Sequence, residues 1–237
     1  PIDHRCMTGV TVEQVYDATV QHLPLVAPPS AVEPAPSPGL TSTSLAGVTV
    51  FLDRDGTLNV DTGYVKSPDD FTVLPGVGAA LARLKQAGAR LVVVTNQSGL
   101  GRGYFTSRDL EAIHSKLRLV LAEDGVTLDG LYFCPHHPDD HCNCRKPARG
   151  MIDRAHAELQ VDLSRAYVIG DSVRDVELAK QVGAQSLLVM TGPSGAEALA
   201  DLTVRDLPPD YVAEGLSQAV DWIVAHATHR PAADLQR

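Results

Sequence analysis

Five side chains of this 237-residue sequence have the types and setting to carry one reaction. Asp53 and Asp55 stand in Phe51-Leu52-Asp53-Arg54-Asp55-Gly56-Thr57-Leu58, Thr95 opens Thr95-Asn96-Gln97-Ser98-Gly99, Lys146 lies in Arg145-Lys146-Pro147, and Asp171 in Gly170-Asp171-Ser172. A carboxylate can attack phosphorus in line and form an acyl phosphate, which splits a difficult hydrolysis into two steps. Carboxylate and phosphate repel each other, so a divalent cation must bridge them. Mg²⁺ prefers oxygen ligands and few protein carboxylates, which Asp53 and Asp171 could supply. Asp55, two residues along an extended stretch, is expected on the same side as Asp53 and placed to protonate the leaving oxygen, then to deprotonate the attacking water. Thr95 and Lys146 suit the holding of phosphoryl oxygens and the offsetting of charge in the transition state. Gly56 would let the chain turn close to the phosphate. A lone Asp-x-Asp pair is more often a solvated turn; behind an apolar strand, with the other three residues following in order, it is far more specific.

A second constellation is Cys134, His136, Cys142 and Cys144, with His137 and His141 close by. Three thiolates and one imidazole make a closed tetrahedral set suited to structural zinc. The spacing departs from ordinary zinc fingers, and spacing alone leaves the choice among the three histidines open. Cys6 stands apart. Mixed Cys/His clustering points to metal binding rather than disulfides, hence to a reducing compartment such as the cytoplasm. The loop leads directly into Arg145-Lys146, so zinc is expected to fix loop geometry and not to do chemistry.

These groups need elements to position them. Candidate strands are Val48–Leu52, Arg90–Val94, Gly130–Phe133, Ala166–Ile169, Ser186–Met190 and, more weakly, Tyr211–Ala213. Helical patterns lie between them at Val77–Ala87, Ser107–Glu123, Met151–Leu159, Val173–Val182 and Glu214–Ala225. Thr106 and Asp109 form a candidate capping box, and Gly88 and Gly183 sit where helix-ending glycines belong. Apolar strands alternating with helices predict an α/β fold whose parallel sheet is covered on both faces. Asp53, Thr95 and Asp171 then share the carboxyl edge, where open α/β sheets bind ligands. Between Asp53 and Thr95 there is room for a short loop and one helix, and between Thr95 and Lys146 a helix, a strand and the metal loop fill the space. An essentially capless domain with an open site is expected.

The composition bounds partners. Apolar residues make up 44% of the chain and no apolar run approaches the roughly 18 residues of a membrane span. The net charge, 20 − 29 = −9, disfavours nucleic acid. No long apolar helix face demands a protein partner, so a monomer without a membrane role is expected. Residues 1–45 are expected to be a disordered, Pro/Ser/Ala-rich extension with a short helix at Val12–Leu23, followed by a domain at 46–227 and a flexible tail at 228–237.

The order Asp-x-Asp-Gly-Thr, strand-end Thr, Lys, then Gly-Asp-x-x-x-Asp resembles the haloacid dehalogenase superfamily of phosphatases, over about residues 46–226. The resemblance implies a Rossmann-like fold with Asp53 as nucleophile and Asp55 as general acid/base. It implies Mg²⁺ on the Asp53 carboxylate, the Asp55 backbone carbonyl and Asp171, with Thr95 and Lys146 steadying the phosphoryl group. Arg145 would recognise substrate, and Asp61, Thr62, Gly63 and Tyr64 would line the site with Thr95, Asn96, Gln97 and Ser98. It selects His136 as the fourth zinc ligand beside Cys134, Cys142 and Cys144, and gives Asp175 a supporting role. Gly63-Tyr64-Val65, Gln97-Ser98-Gly99 and Arg102-Gly103 imply a small phosphorylated sugar, a bisphosphate, as substrate. The short loop between His136 and Cys142 is closer in length to that of histidinol-phosphate phosphatases, the competing reading. An inactive zinc-stabilised binding module is a third, and a nucleic-acid end-phosphatase is disfavoured by charge. Ser172 stands where sugar-bisphosphate members often have Lys.

Overall fold

β1 (Thr49–Leu52) is buried along its whole length, as a strand must be when it has a neighbour on each side and helices on both faces. In the computed structural model, which describes residues 44–227, β1 is joined by β2 (Arg90–Asn96), β3 (Gly130–Cys134), β4 (Ala166–Gly170), β5 (Gln185–Val189) and β6 (Tyr211–Ala213). The six strands are all parallel, in the order β3-β2-β1-β4-β5-β6. Six helices accompany them: α1 (Val77–Gln86), α2 (Ser107–Glu123), α3 (Gly150–Leu159), α4 (Val173–Val182), α5 (Gly195–Val204) and α6 (Leu216–His226). The strand order changes direction between β1 and β4, which is where such sheets open a crevice at their carboxyl ends.

The two cores follow from the two-residue period of the strands. Val50, Leu52, Leu91, Val93, Tyr167 and Ile169 point to one face, against Leu81 and Leu84 of α1, Ile113 and Leu117 of α2, and Val220 and Ile223 of α6. Phe51, Val92, Val94 and Val168 point to the other, against Met151 and Ile152 of α3 and Leu178 and Ala179 of α4. The expected capping box closes the start of α2: the Asp109 N–H donates to Thr106 Oγ1 at 3.2 Å and the Thr106 N–H to Asp109 Oδ2 at 2.8 Å. Such a cap stabilises a helix by about 1 kcal/mol.

The structure adjusts some boundaries. β2 runs on to Asn96 and β3 to Cys134, so Thr95 and Cys134 lie within strands. α5 was not expected; Ala198 and Leu202 are buried, but Ala196, Ala200 and Val204 are apolar and exposed, so its sequence writes no clear period. A single helical turn at Ser98–Gly101 also escapes the periodicity. Leu45 is fully buried and its N–H donates to Ala87 O at 2.7 Å, so the packed domain includes Leu45. The expected helix at Val12–Leu23 and the tail at 228–237 lie outside the described residues. Between β1 and β2 there is a loop, a 3₁₀ turn at Pro68–Asp70 and α1, and between β2 and β3 the Ser98–Gly101 turn and α2. No inserted cap domain stands among the described residues, and none of their helices is long and apolar enough to cross a membrane.

Candidate active site

Asp53 leaves the end of β1 with its N–H still donating to Ile169 O of β4 at 2.9 Å, and Asp171 follows β4 directly. The two carboxylates therefore flank the point where the strand order reverses. Lys146 reaches between the acids: its Nζ lies 2.8 Å from Asp53 Oδ1 and 2.6 Å from Asp175 Oδ1. Carboxylate oxygens of Asp53, Asp171 and Asp175 all fall within 4.8 Å of one another. Burial pushes Asp53 up to about 6, with Lys146 pulling it down and Asp175 adding to the rise. Asp171 is pushed up to about 7, again by burial first and then by the Asp53 and Asp175 charges. Three crowded acids and one ammonium leave an excess of negative charge, which suits a divalent cation bound through oxygen. The site therefore fits magnesium in the donor set it offers.

Neighbouring residues fix each of these groups. The Lys146 main chain is clamped by the Asn96 side chain, whose Oδ1 accepts from Lys146 N at 2.9 Å and whose Nδ2 donates to Lys146 O at 3.2 Å. Asp175 caps α4 by accepting from Ser172 N and Oγ at 3.2 and 2.6 Å while its other oxygen holds Lys146. Gly56 has φ +78°, and a Cβ there would sit 2.3 Å from Asp171 Oδ2. Glycine at 56 thus makes room for the neighbouring carboxylate as well as for the turn.

Asp55 does reach the cleft, but not by strand alternation. The strand ends at Leu52 and the following residues form a turn. The Asp55 side chain is held by hydrogen bonds instead: Arg54 Nη2 donates to both of its oxygens at 2.9 Å, Asn59 Nδ2 to Oδ1 at 2.9 Å, and Gln97 Nε2 to Oδ2 at 2.9 Å. Arg54 is fully buried, a position a guanidinium tolerates only with partners on several sides. Its Nη2 also donates to Gln97 Oε1 at 3.2 Å, and its Nη1 lies 3.4 Å from His114 Nε2. Burial, and then the Arg54 charge, press His114 down to about 3, so the imidazole is neutral. Arginine is only a donor, so His114 Nε2 accepts. Arg54, Asn59 and His114 were missed by sequence reasoning. A signal existed for His114: it falls at helical spacing with Leu110, Leu117 and Leu121, on the buried stripe of α2.

These groups line a cleft of about 250 Å³. Its walls bring together the expected Asp53, Asp55, Asp61, Gly63, Tyr64, Thr95, Asn96, Gln97, Ser98, Arg145, Lys146 and Asp171. Thr62 is exposed and is not among the residues that line the cleft; beside it the Gly63 N–H donates to Asp61 Oδ1 at 2.7 Å. Asn96 and Gln97 have their side chains engaged by Lys146, Asp55 and Thr95, and so help to hold those residues in place. Tyr64 meets the Tyr104 ring edge-on, with centroids 4.9 Å apart. Nη1 of Arg145 is buried without a hydrogen-bond partner, a donor left for a ligand.

Beside the cleft, Cys134, His136, Cys142 and Cys144 converge. Cys134 Sγ is 3.5 Å from Cys142 Sγ and 3.6 Å from His136 Nδ1; Cys144 Sγ is 3.2 Å from His136 Nδ1 and 3.6 Å from Cys142 Sγ. A tetrahedral zinc with bonds of about 2.3 Å to sulfur and about 2.0 Å to nitrogen needs edges of roughly 3.5 to 3.8 Å. Three of these edges lie in that range and the Cys144–His136 edge is a little shorter, so the four groups suit that ion. His137 caps the 3₁₀ turn at Pro138–Asp140, and His141 is its left-handed C-cap residue.

Comparison with known proteins agrees with this architecture. A family profile described as HAD-hydrolase-like matches residues 143–219. A relative from Haemophilus ducreyi is 44% identical over 169 residues, covering 67% of this chain and 93% of its own length. One from Escherichia coli K12 is 43% identical over 170 residues, covering 67% and 88%. The chain belongs to the haloacid dehalogenase-like phosphatases. Both relatives carry the name D-glycero-beta-D-manno-heptose-1,7-bisphosphate 7-phosphatase. A crystal structure of the D,D-heptose 1,7-bisphosphate phosphatase of Bordetella bronchiseptica, complexed with magnesium and phosphate, superposes with a TM-score of 0.71 at 42% identity, covering 76% of this chain and 99% of that one.

Proposed function

We propose that this chain removes the 7-phosphate of D-glycero-D-manno-heptose 1,7-bisphosphate, releasing the heptose 1-phosphate, through an aspartyl-phosphate on Asp53. The observation that carries this reading is the joint one: a buried Asp53–Lys146–Asp171 cluster at the crevice, in a chain 44% identical over 93% of a phosphatase of that name. Asp53 attacks phosphorus while Asp55 protonates the departing sugar oxygen. Asp55 then takes a proton from the water that attacks the acyl phosphate, and Asp53 is regenerated as inorganic phosphate leaves. Lys146 holds the Asp53 carboxylate and faces the transferring oxygens with Thr95. Asp53, Asp171 and the Asp55 backbone carbonyl would hold magnesium, which would lower the repulsion between carboxylate and phosphate. Cys134, His136, Cys142 and Cys144 would hold zinc, which would fix the segment that delivers Arg145 and Lys146. Asp61, Gly63, Tyr64, Ser98 and Arg145 contact the sugar phosphate. Thiolate ligands require a reducing compartment, which we take to be the cytoplasm, and every group named comes from one chain, so a monomer suffices.

The short His136–Cys142 loop favours one competitor, histidinol phosphate. The test compares kcat/KM on the heptose bisphosphate and on histidinol phosphate, with Asp53→Asn as control. Preference for the bisphosphate and an inert Asp53→Asn are expected. Preference for histidinol phosphate would overturn the substrate assignment.

A further inference from the structure

Three basic side chains line the cleft: Arg145, Lys146 and Arg174. Lys146 is already neutralised by Asp53 and Asp175. Arg174, in the first turn of α4, forms no ion pair or hydrogen bond among the described residues. It stands where the cleft opens into an adjoining groove of about 370 Å³, a junction it shares with Ser172 and Ser194. The Ser172 hydroxyl is committed to Asp175 at 2.6 Å, which leaves Arg174 and Ser194 to receive a ligand there. Beyond the junction the groove turns acidic: Glu177, Glu197 and Asp201 face Arg205, which is already paired with Glu177 and Asp201.

A bisphosphate brings two strongly hydrated anions. One is handled at Asp53, and the other leaves water readily only against a cation not already engaged. Resting on the bisphosphate reading above, we propose that Arg174 is a specificity residue that receives the phosphate that is not cleaved. The acidic stretch past Arg174 stops that phosphate at the junction. Arg145 contributes from the opposite segment, after the metal loop, so the second phosphate is met from two separate elements.

The test uses Arg174→Ala and Arg174→Lys on two substrates: the heptose 1,7-bisphosphate and the same sugar phosphorylated only at position 7. Arg174 is exposed, so both variants should fold with an unchanged Tm. Loss of one charge-assisted contact should raise KM for the bisphosphate by about ten- to a hundredfold in Arg174→Ala with kcat nearly unchanged. Arg174→Lys should recover part of this, and the 7-monophosphate should show no change in either variant. A wild-type preference for the bisphosphate that survives intact in Arg174→Ala overturns the role of Arg174 alone. A wild type that favours the 7-monophosphate or histidinol phosphate overturns the function reading and this inference with it.

Discussion

The Lys146 ammonium lies 2.8 Å from the Asp53 carboxylate, with both groups buried. The same ammonium also serves Asp175. The proposed nucleophile is therefore held in place by a charge that is itself held by a helix cap.

Lys146→Met should leave Asp53 and Asp175 as uncompensated buried acids. A broken buried pair of this kind costs about 3–5 kcal/mol. Adding Asp175→Asn to Lys146→Met should return part of that loss, because one of the two stranded charges is gone. Urea denaturation of the single and double variants measures this. Additive losses would contradict the coupling. Activity should fall about a hundredfold or more in both.

Metal binding should depend on pH. Burial and mutual repulsion raise Asp53 to about 6 and Asp171 to about 7. Both values lie above the usual carboxylate range, so protonation favours the fold: without a cation, stability falls as pH rises from about 4 through about 7. Magnesium must displace those protons. Its apparent affinity should climb steeply up to about pH 6, more gently to about 7, and then level. Titrations followed by thermal shift at several pH values check this; an affinity flat across that window would refute it.

Zinc removal should disarm the site without touching the nucleophile. Cys142→Ala loses one of four converging ligands, so bound zinc should fall well below one per chain and Tm should drop. Turnover should fall because Arg145 and Lys146 follow the loop directly. Full zinc content, or unaltered kcat in zinc-free protein, would separate the loop from the chemistry.

Arg54→Lys keeps the charge beside Asp55 but loses the planar fork that reaches both of its oxygens. Asp55 should lose its orientation, and kcat should fall by about tenfold or more with KM little changed. Steady-state kinetics decides between this and a purely structural role, in which stability would move and kcat would not.

Much of this was legible in the sequence because each part had a local cause. The strands are apolar runs bounded by turns, and Asp53, Thr95, Lys146 and Asp171 follow in the order of the family that the sequence resembles. What stayed hidden depends on distance along the chain. Arg54 and His114 are sixty residues apart, and no local pattern ties a buried guanidinium to one imidazole. Thr62 was grouped with its neighbours by motif, yet it is exposed and does not line the cleft as they do. α5 has apolar residues on its exposed side as well as its buried one, so no period announces it.

β1 is hydrogen-bonded to a strand on each side, so the residue at its end is mounted on a strand braced from both flanks. The groups that face the far side of the cleft are mounted otherwise: Tyr64 on a loop, Arg174 at the start of a helix. Tyr64 and Arg174 thus sit on elements other than the strand that carries Asp53. A descendant of this chain could exchange Tyr64 or Arg174 and meet a different ester while Asp53 stayed in register, so new substrates are open to it without the chemistry being rebuilt.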